Sequence, residues 1–367
     1  MKIIRIDVHQ LDIPLNEPKT FPNRVYASLD NTVVRLETDT GLVGWGEVCP
    51  IASTYQPEHA LGVRAAIEEM APGLIGQDPT QIGVINSQMN DWLMGGLNAK
   101  SAIDIACWDI IGKAYDKPIY QLIGGALQPK AKGYAAIEHG EDIDKIDADT
   151  AMYRAKGYSH FQIKSKTTNI DLVIARLRRA HELRQPGDIL VADANKAWKT
   201  HEALRILRAT EDIDYYVEQP CLTYEECLSI RRQVRQPMIL DECLTDINVL
   251  LKGLADNAFE GIGCKITRVG GITGTRLIRD ICAATGKVLT IDDMWGADLS
   301  AAAQAHLAVS TPAPAFLASY ISTDFSKLRY DFDAPSLADG FIKPNEKPGL
   351  GVEPDVNVLG EPVQSFD

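Results

Sequence analysis

Short apolar runs, each closed by a charged side chain, recur through the middle of this chain with helix-like sequence between them. Phe161-Gln162-Ile163 runs into Lys164, Ile189-Leu190-Val191-Ala192 into Asp193, and Tyr215-Tyr216-Val217 into Glu218. Met238-Ile239-Leu240 precedes Asp241, and Ile262-Gly263-Cys264 precedes Lys265. The closing residues lie 29, 25, 23 and 24 positions apart, room for one helix in each interval. A strand followed by a helix at that repeat builds a parallel sheet, either a closed barrel or a doubly wound layer. In a barrel the closing residues share the C-terminal rim, where such folds keep their chemistry.

The alternation extends to both sides. Strands are expected near residues 131–137, 159–164, 188–193, 214–218, 237–241, 260–265, 287–292 and 315–320, with helix patterns in the seven gaps. That pattern predicts an eight-stranded barrel whose last helix is shortened or replaced. Residues 1–50 read instead as antiparallel strands that turn at Asp39-Thr40-Gly41. Three helix patterns follow, at residues 58–74, 79–93 and 99–115. Strands first and helices after make an α+β unit. The expected division is an α+β capping domain over 1–125, the barrel over 126–322, and a segment over 323–367 that folds back on the cap. Residues 14–29, a polar stretch with three prolines, and residues 49–57 are expected to be lid loops.

Composition narrows the partners. The 367 residues are 45% hydrophobic, enough for a large core, and carry a formal net charge of −13 with no basic stripe. Binding to nucleic acid or to an anionic membrane surface is therefore not expected. No apolar run approaches membrane-spanning length, and Arg5, Asp7 and His9 interrupt the first strand pattern where a signal peptide would be apolar. The seven cysteines form no Cys-x-x-Cys pair, which points to free thiols in a reducing cytoplasm.

One Asp after an apolar run is commonly a helix cap or a turn residue. Three carboxylates closing three successive strands place hard oxygen ligands at adjacent points of one rim, a set suited to Mg²⁺. Transition metals more often bring His or Cys. Lys164 and Lys265 then flank Asp193, Glu218 and Asp241, and a partly desolvated lysine beside another cation can act as a base. A Schiff-base enzyme on the same barrel is a rival, with Gly270-Gly271-Ile272-Thr273-Gly274 as a phosphate cradle. A barrel that only binds a metabolite is another.

With these residues in place, the chain resembles the enolase superfamily, specifically its muconate lactonizing enzyme-like subgroup. The likeness runs almost end to end. It rests on the segment AKSAIDIACWDIIGKAYDKPIYQLIGG, on Asp193 in DAN, Glu218 in EQP and Asp241 in DE, and on Lys265 in KITRVGG. It implies a modified (β/α)₈ barrel, (β/α)₇β, under an α+β cap, with Mg²⁺ on the three carboxylates, Lys164 as base and Lys265 as acid, the swapped roles being the alternative. The second strand of the subgroup usually ends Lys-x-Lys. Here Gln162 stands at the first lysine, Lys164 at the catalytic one, and Lys166 is extra, so a register using Lys166 is the alternative. Mandelate racemase-like members use a histidine after the seventh strand, whereas this chain has Asp292-Asp293-Met294-Trp295 there and its nearest histidine, His306, in a helix pattern.

The shared first step of such enzymes is proton abstraction next to a carboxylate. Tyr55 on a cap loop and Trp295 after the seventh strand are expected to meet over the site and hold a substrate cation on their ring faces. Asp293 or Asp298 would add an opposing charge. Asn195, Glu242, Lys166 and Asp292 are expected to support the main group. CPIASTY and DDMWGAD are similar to segments of members that act on proline betaines and hydroxyprolines. The likeness implies a homo-oligomer that dehydrates cis-3-hydroxy-L-proline to Δ1-pyrroline-2-carboxylate. Epimerisation of proline betaine or 4-hydroxyproline betaine by the same lysines is the alternative.

Overall fold

The computed structural model of the chain describes every residue except 22, 23, 139, 141, 293, 294, 327 and 332. The N-terminal part opens with three antiparallel strands, β1 (Ile3–Thr20), β2 (Val25–Thr38) and β3 (Val43–Val48). Helices α1 (Ala60–Leu74), α2 (Ile82–Trp92), α3 (Leu97–Ala114) and α4 (Ile119–Leu122) follow. Alternation in β1 and β2 sends Ile6, Val8, Val34 and Leu36 to one face. There they pack on Val63, Ile67 and Met70 of α1 and on Ile103, Ala106 and Ile110 of α3. Burial of each such side chain contributes roughly 1.5–3 kcal/mol.

The polar stretch over residues 14–29 is not a free loop. β1 runs through it to Thr20, and β2 begins at Val25, with Lys19 opposite Tyr26 and Thr20 opposite Val25. Pro14 and Pro18 are accommodated because the register shifts between Pro14 and Lys19, which releases the ladder where proline has no N–H to give.

After the short strand β4 (Ala131–Lys132) the alternation begins with β5 (Ala135–Ile137) and α5 (Asp144–Ala155). It continues through β6 (His160–Lys164), α6 (Ile170–Glu182), β7 (Ile189–Asp193), α7 (Thr200–Ala209), β8 (Tyr216–Glu218) and α8 (Tyr224–Arg231). It ends with β9 (Met238–Leu240), α9 (Ile247–Asp256), β10 (Gly261–Lys265), α10 (Ile272–Thr285), β11 (Val288–Asp292), α11 (Asp298–Val309) and β12 (Phe316–Tyr320). The eight strands β5 to β12 form one parallel sheet in sequence order, and the bridge Gly133–Ser319 brings its two edges together. Helices fill the seven connections, and a single 3₁₀ turn (Ser322–Phe325) follows β12, which is the expected (β/α)₇β barrel.

Inside the barrel, Val191, Ile239 and Leu317 form a small apolar cluster. Alternation along β7 therefore leaves Asp193, two residues beyond Val191, above that floor. The chain ends with β13 (Phe341–Ile342), α12 (Val356–Leu359) and β14 (Gln364–Phe366). β13 pairs with β4, and β14 pairs with β1 of the first sheet. Among the described residues no helix is long and apolar enough to cross a membrane, and all seven cysteines are free thiols.

Candidate active site

Strand register gathers the charged residues. Lys164 sits opposite Asp193, and Asp193 opposite Glu218, so three adjacent strands end on one rim. Asp241 follows β9 directly, and Lys265 pairs with Asp292 across β10 and β11. Asp193, Glu218, Asp241, Lys265 and Asp292 are all buried. This is a concentration of charge that only mutual pairing or a bound ion can sustain.

Each group has a partner of its own. Lys164 Nζ lies 2.7 Å from Asp193 Oδ2. Gln162 donates its amide to Glu218 Oε2 at 2.7 Å. Asp241 receives Tyr55 OH at 3.1 Å on Oδ2 and Arg268 at 2.8 Å on Oδ1, and Arg268 also reaches the Asp241 carbonyl at 2.7 Å. Lys265 Nζ lies 3.2 Å from Asp292 Oδ2 and 3.8 Å from Asp241 Oδ2. Asp292 is fixed in turn by Thr290 Oγ1 at 2.7 Å and by the Tyr320 N–H at 2.7 Å. Tyr134 OH stands 3.4 Å away, on the same Asp292 oxygen as Lys265. The Asn195 N–H caps Asp193, and the Asn195 amide reaches Glu242 Oε1 at 3.3 Å.

The field is that of a site short of positive charge. Burial, together with Asp193 and Asp241, pushes the Glu218 carboxyl well above the usual range. Burial and the same two neighbours raise Glu242 to about 8. Burial also works on Asp241, but Lys265 and Arg268 outweigh it and bring its pKa down to about 2. Both lysines are held in the ammonium form. Burial opposes their charge, but Asp193 and Glu218 outweigh it at Lys164, and Asp241 and Asp292 do so at Lys265.

A cavity of about 320 Å³ opens over these groups, lined among others by Tyr55, Tyr134, Gln162, Lys164, Lys265 and Trp295. Its size suits a small metabolite. Tyr55 and Trp295 line the same cavity, but each has its own contact. Tyr55 rests on Asp241, and Trp295 packs on Phe325 with ring centroids 4.7 Å apart. Phe325 leads on to Tyr320 and Tyr320 to Tyr134, so one wall is a chain of rings. Lys19 of β1 reaches this wall, lying over Phe325 and 3.6 Å from Glu138. Lys166 lies beyond the end of β6, exposed at the cavity rim, while Lys164 ends the strand itself.

Two expected acidic contacts fare differently. Asp293 lies outside the described residues. Asp298 does not face the cavity. It is buried at the start of α11, accepts the N–H groups of Tyr330 and Asp331, and pairs with Arg329. Its charge is spent on the C-terminal segment. The Gly270–Gly274 turn is likewise no phosphate cradle, because the Thr273 N–H at the head of α10 is already bound by Asp104. His306 is buried between the Tyr120 N–H and the Leu350 carbonyl, far from acid–base duty.

Arg268, Tyr134, Glu138, Tyr320 and Phe325 were not singled out from the sequence. Tyr134 and Tyr320 flank the first strand and end the last, and strand position was the signal available for them. Arg268 stands three residues past Lys265, in a turn whose geometry no periodicity reveals.

Among the described residues, no three His, Cys, Asp or Glu side chains are grouped to hold a metal as they stand. The pairings explain this, since Lys164, Gln162, Arg268 and Tyr55 each draw a carboxylate oxygen to themselves. The donor set still fits a hard divalent cation, for it is all oxygen, buried and strained by like charge at Glu218.

Residues 13–124 match the family described as "Mandelate racemase / muconate lactonizing enzyme, N-terminal domain", and residues 146–358 match "Enolase C-terminal domain-like". A cis-3-hydroxy-L-proline dehydratase from Roseibium aggregatum is 43% identical over 369 residues, covering 100% of both chains. An N-succinyl-L-Arg/Lys racemase from Bacillus cereus is 28% identical over 98% of each. A crystal structure of an enolase-superfamily member from Roseovarius nubinhibens, complexed with magnesium, superposes with a TM-score of 0.96 at 35% identity, covering 100% of this chain and 99% of that one.

Proposed function

The chain belongs to the mandelate racemase/muconate lactonizing enzyme family of the enolase superfamily, and from that premise we propose that it dehydrates cis-3-hydroxy-L-proline to Δ1-pyrroline-2-carboxylate. The observation that carries the proposal is the pairing of two ammonium groups, Lys265 buried and Lys164 half-buried, with opposite ends of one carboxylate row. Lys164 rests on Asp193, and Lys265 on Asp292 and Asp241, with Glu218 between. The full-length likeness to a dehydratase of that substrate supports the choice of reaction.

Asp193, Glu218 and Asp241 would hold Mg²⁺, whose charge would bind the substrate carboxylate and make the neighbouring proton acidic. Once Asp193 faces a cation, Lys164 gives up its proton more readily and can take the α-hydrogen as a base. In the cis isomer the 3-hydroxyl lies opposite that hydrogen, on the Lys265 side. As the C–O bond breaks, Lys265 hands its proton to the departing oxygen, which leaves as water. The remaining enamine then tautomerises to the cyclic imine. Asp292, held by Thr290 and the Tyr320 N–H, keeps Lys265 aimed and charged for that step. Tyr55, Trp295 and the ring wall behind it surround the ring and its ammonium.

Purified enzyme with Mg²⁺ and cis-3-hydroxy-L-proline in deuterated water tests this reading. Release of the cyclic imine is the expected result. Exchange of the α-proton of proline betaine, with no imine from the hydroxyproline, would replace dehydration by epimerisation.

A further inference from the structure

The segment between β10 and α10 carries two working groups within four residues. Lys265 ends the strand. Arg268 sits in the following 3₁₀ turn (Thr267–Val269) and is bound to Asp241 through both its carboxylate and its carbonyl. Gly270 and Gly271 then take φ +85° and +101°, and α10 begins. The barrel anchors the start of the turn, where the Ile266 N–H donates to the Asp292 carbonyl at 2.9 Å.

The far end is anchored from the cap. Asp104 of α3 is fully buried and points at the head of α10. Its Oδ2 accepts the Thr273 N–H at 3.0 Å, and its Oδ1 accepts the Thr273 hydroxyl at 2.5 Å and the Asn86 amide at 2.8 Å. Trp108 Nε1 donates to the same hydroxyl at 2.9 Å, so that oxygen both gives and receives. This is an N-cap supplied by another part of the chain, with a carboxylate against the positive end of the helix. The fit leaves no slack, since a Cβ on Gly271 would lie 2.4 Å from Asp104 Oδ2.

Asp104 is itself held rigidly. Gly44 and Gly46 of β3 let α3 lie so close that a Cβ at either would meet the Ala106 or Ala102 carbonyl at 2.2 or 1.8 Å. The cap sheet, α3, Asp104 and the β10–α10 turn thus form one packed series that ends at Asp241. The cap reaches Asp241 a second time through Tyr55 OH.

We propose that Asp104 is a positioning residue. By capping α10 across the cap–barrel boundary, it fixes the turn that sets Arg268 on Asp241 and Lys265 in the cavity. A carboxylate used only to join two parts of the fold would stabilise the protein without affecting that turn. The proposal rests on the reading of Asp241 as a metal ligand and of Lys265 as an acid–base group, and its test separates the two.

The full-length chain would be made as Asp104→Ala, Asp104→Asn and Thr273→Val. Asp109→Asn serves as a control, because Asp109 is equally buried on α3 but binds the Trp45 and Leu350 N–H groups instead. Two measurements need no substrate: hydrogen exchange of the segment 266–271 in metal-free protein, and Mn²⁺ affinity. Asp104→Ala should speed exchange of the segment and weaken Mn²⁺ about tenfold, as loss of outer support does at metal sites. Asp104→Asn and Thr273→Val should fall between it and the parent. Asp109→Asn should leave both within twofold, whatever melting temperature it loses. Should Asp104→Ala fail to fold, the other two variants carry the comparison. Unchanged exchange in folded Asp104 and Thr273 variants, or equal effects from Asp109→Asn, would overturn the proposal. Faster exchange with no Mn²⁺ binding even by the parent would instead remove the metal-ligand reading and leave the positioning role standing.

Discussion

Gln162 donates its side-chain amide to Glu218 across 2.7 Å, at the position where the subgroup's sequence pattern would set a lysine. A lysine there would offset the Glu218 charge, whereas an amide only solvates it. Burial and its two acidic neighbours accordingly push the Glu218 carboxyl well above its ordinary range. Gln162→Leu removes that donor and leaves Glu218 still harder to ionise. Its Mg²⁺ activation constant should rise by about tenfold, the usual effect of losing an outer hydrogen bond at a metal site. Titration calorimetry of the metal-free variant checks this, and an unchanged Mg²⁺ affinity would show that Glu218 does not depend on the amide.

The two lysines make separable contributions. Lys164→Ala removes the base proposed for the α-hydrogen and should abolish both deuterium exchange and imine release. Lys265→Ala spares that base, so exchange should persist while elimination falls by 10²–10⁴, the range of a lost general acid. Proton NMR in deuterated water reads both rates in one sample. The opposite pattern would reverse the roles of Lys164 and Lys265.

Tyr55 binds Asp241 with its hydroxyl, and Lys196 holds its backbone carbonyl at 3.2 Å, so a cap loop and a barrel loop meet at one residue. Tyr55→Phe keeps the ring and the backbone contact and loses only the bond to Asp241. Its KM should change less than twofold if the ring is what the substrate meets, with a several-fold drop in kcat from a less constrained Asp241. A large rise in KM with kcat intact would show that the hydroxyl binds substrate instead.

The barrel was legible because its cause is local. Ile189 to Ala192 must be buried and the polar residue closing each run must emerge, so the spacing of Lys164, Asp193, Glu218, Asp241 and Lys265 displays the rim directly. What stayed hidden was set at long range. Asp298 has the same sequence surroundings as a site residue, and only Arg329 and the Tyr330 and Asp331 N–H groups, more than thirty positions away, claim its charge. The proline-bearing stretch over residues 14–29 looked like a loop because proline breaks ladders. The register shift beside Pro14 absorbs that break and lets β1 continue to Thr20. Arg268 was invisible for a third reason. A buried guanidinium is recognised by the carboxylate it faces, and Asp241 lies a whole strand–helix unit before it.

Buried histidines give the fold a measurable acid limit. His306 in α11 accepts the Tyr120 N–H on Nδ1 and faces the Leu350 carbonyl with Nε2, which requires the neutral ring with its proton on Nε2. Burial lowers its pKa from 6.5 to about 4. The unfolded chain therefore binds a proton near pH 6.5 that the folded chain refuses until about pH 4. Stability from this residue is complete above about pH 6.5 and is lost as pH falls through that window, by up to about 3 kcal/mol. Asp104 and Asp109, which burial raises to about 6, act with the opposite sign over much of the same range, so the parent curve alone would hide the effect. The comparison must be made against His306→Gln, which keeps a donor and an acceptor and has no proton to gain. Urea unfolding between pH 7.5 and 4.5 should show the parent losing stability relative to the variant as the solution is acidified, with the difference growing below pH 6.5. Parallel curves would mean that His306 is charged in the folded protein, and its bond from the Tyr120 N–H would have to be abandoned.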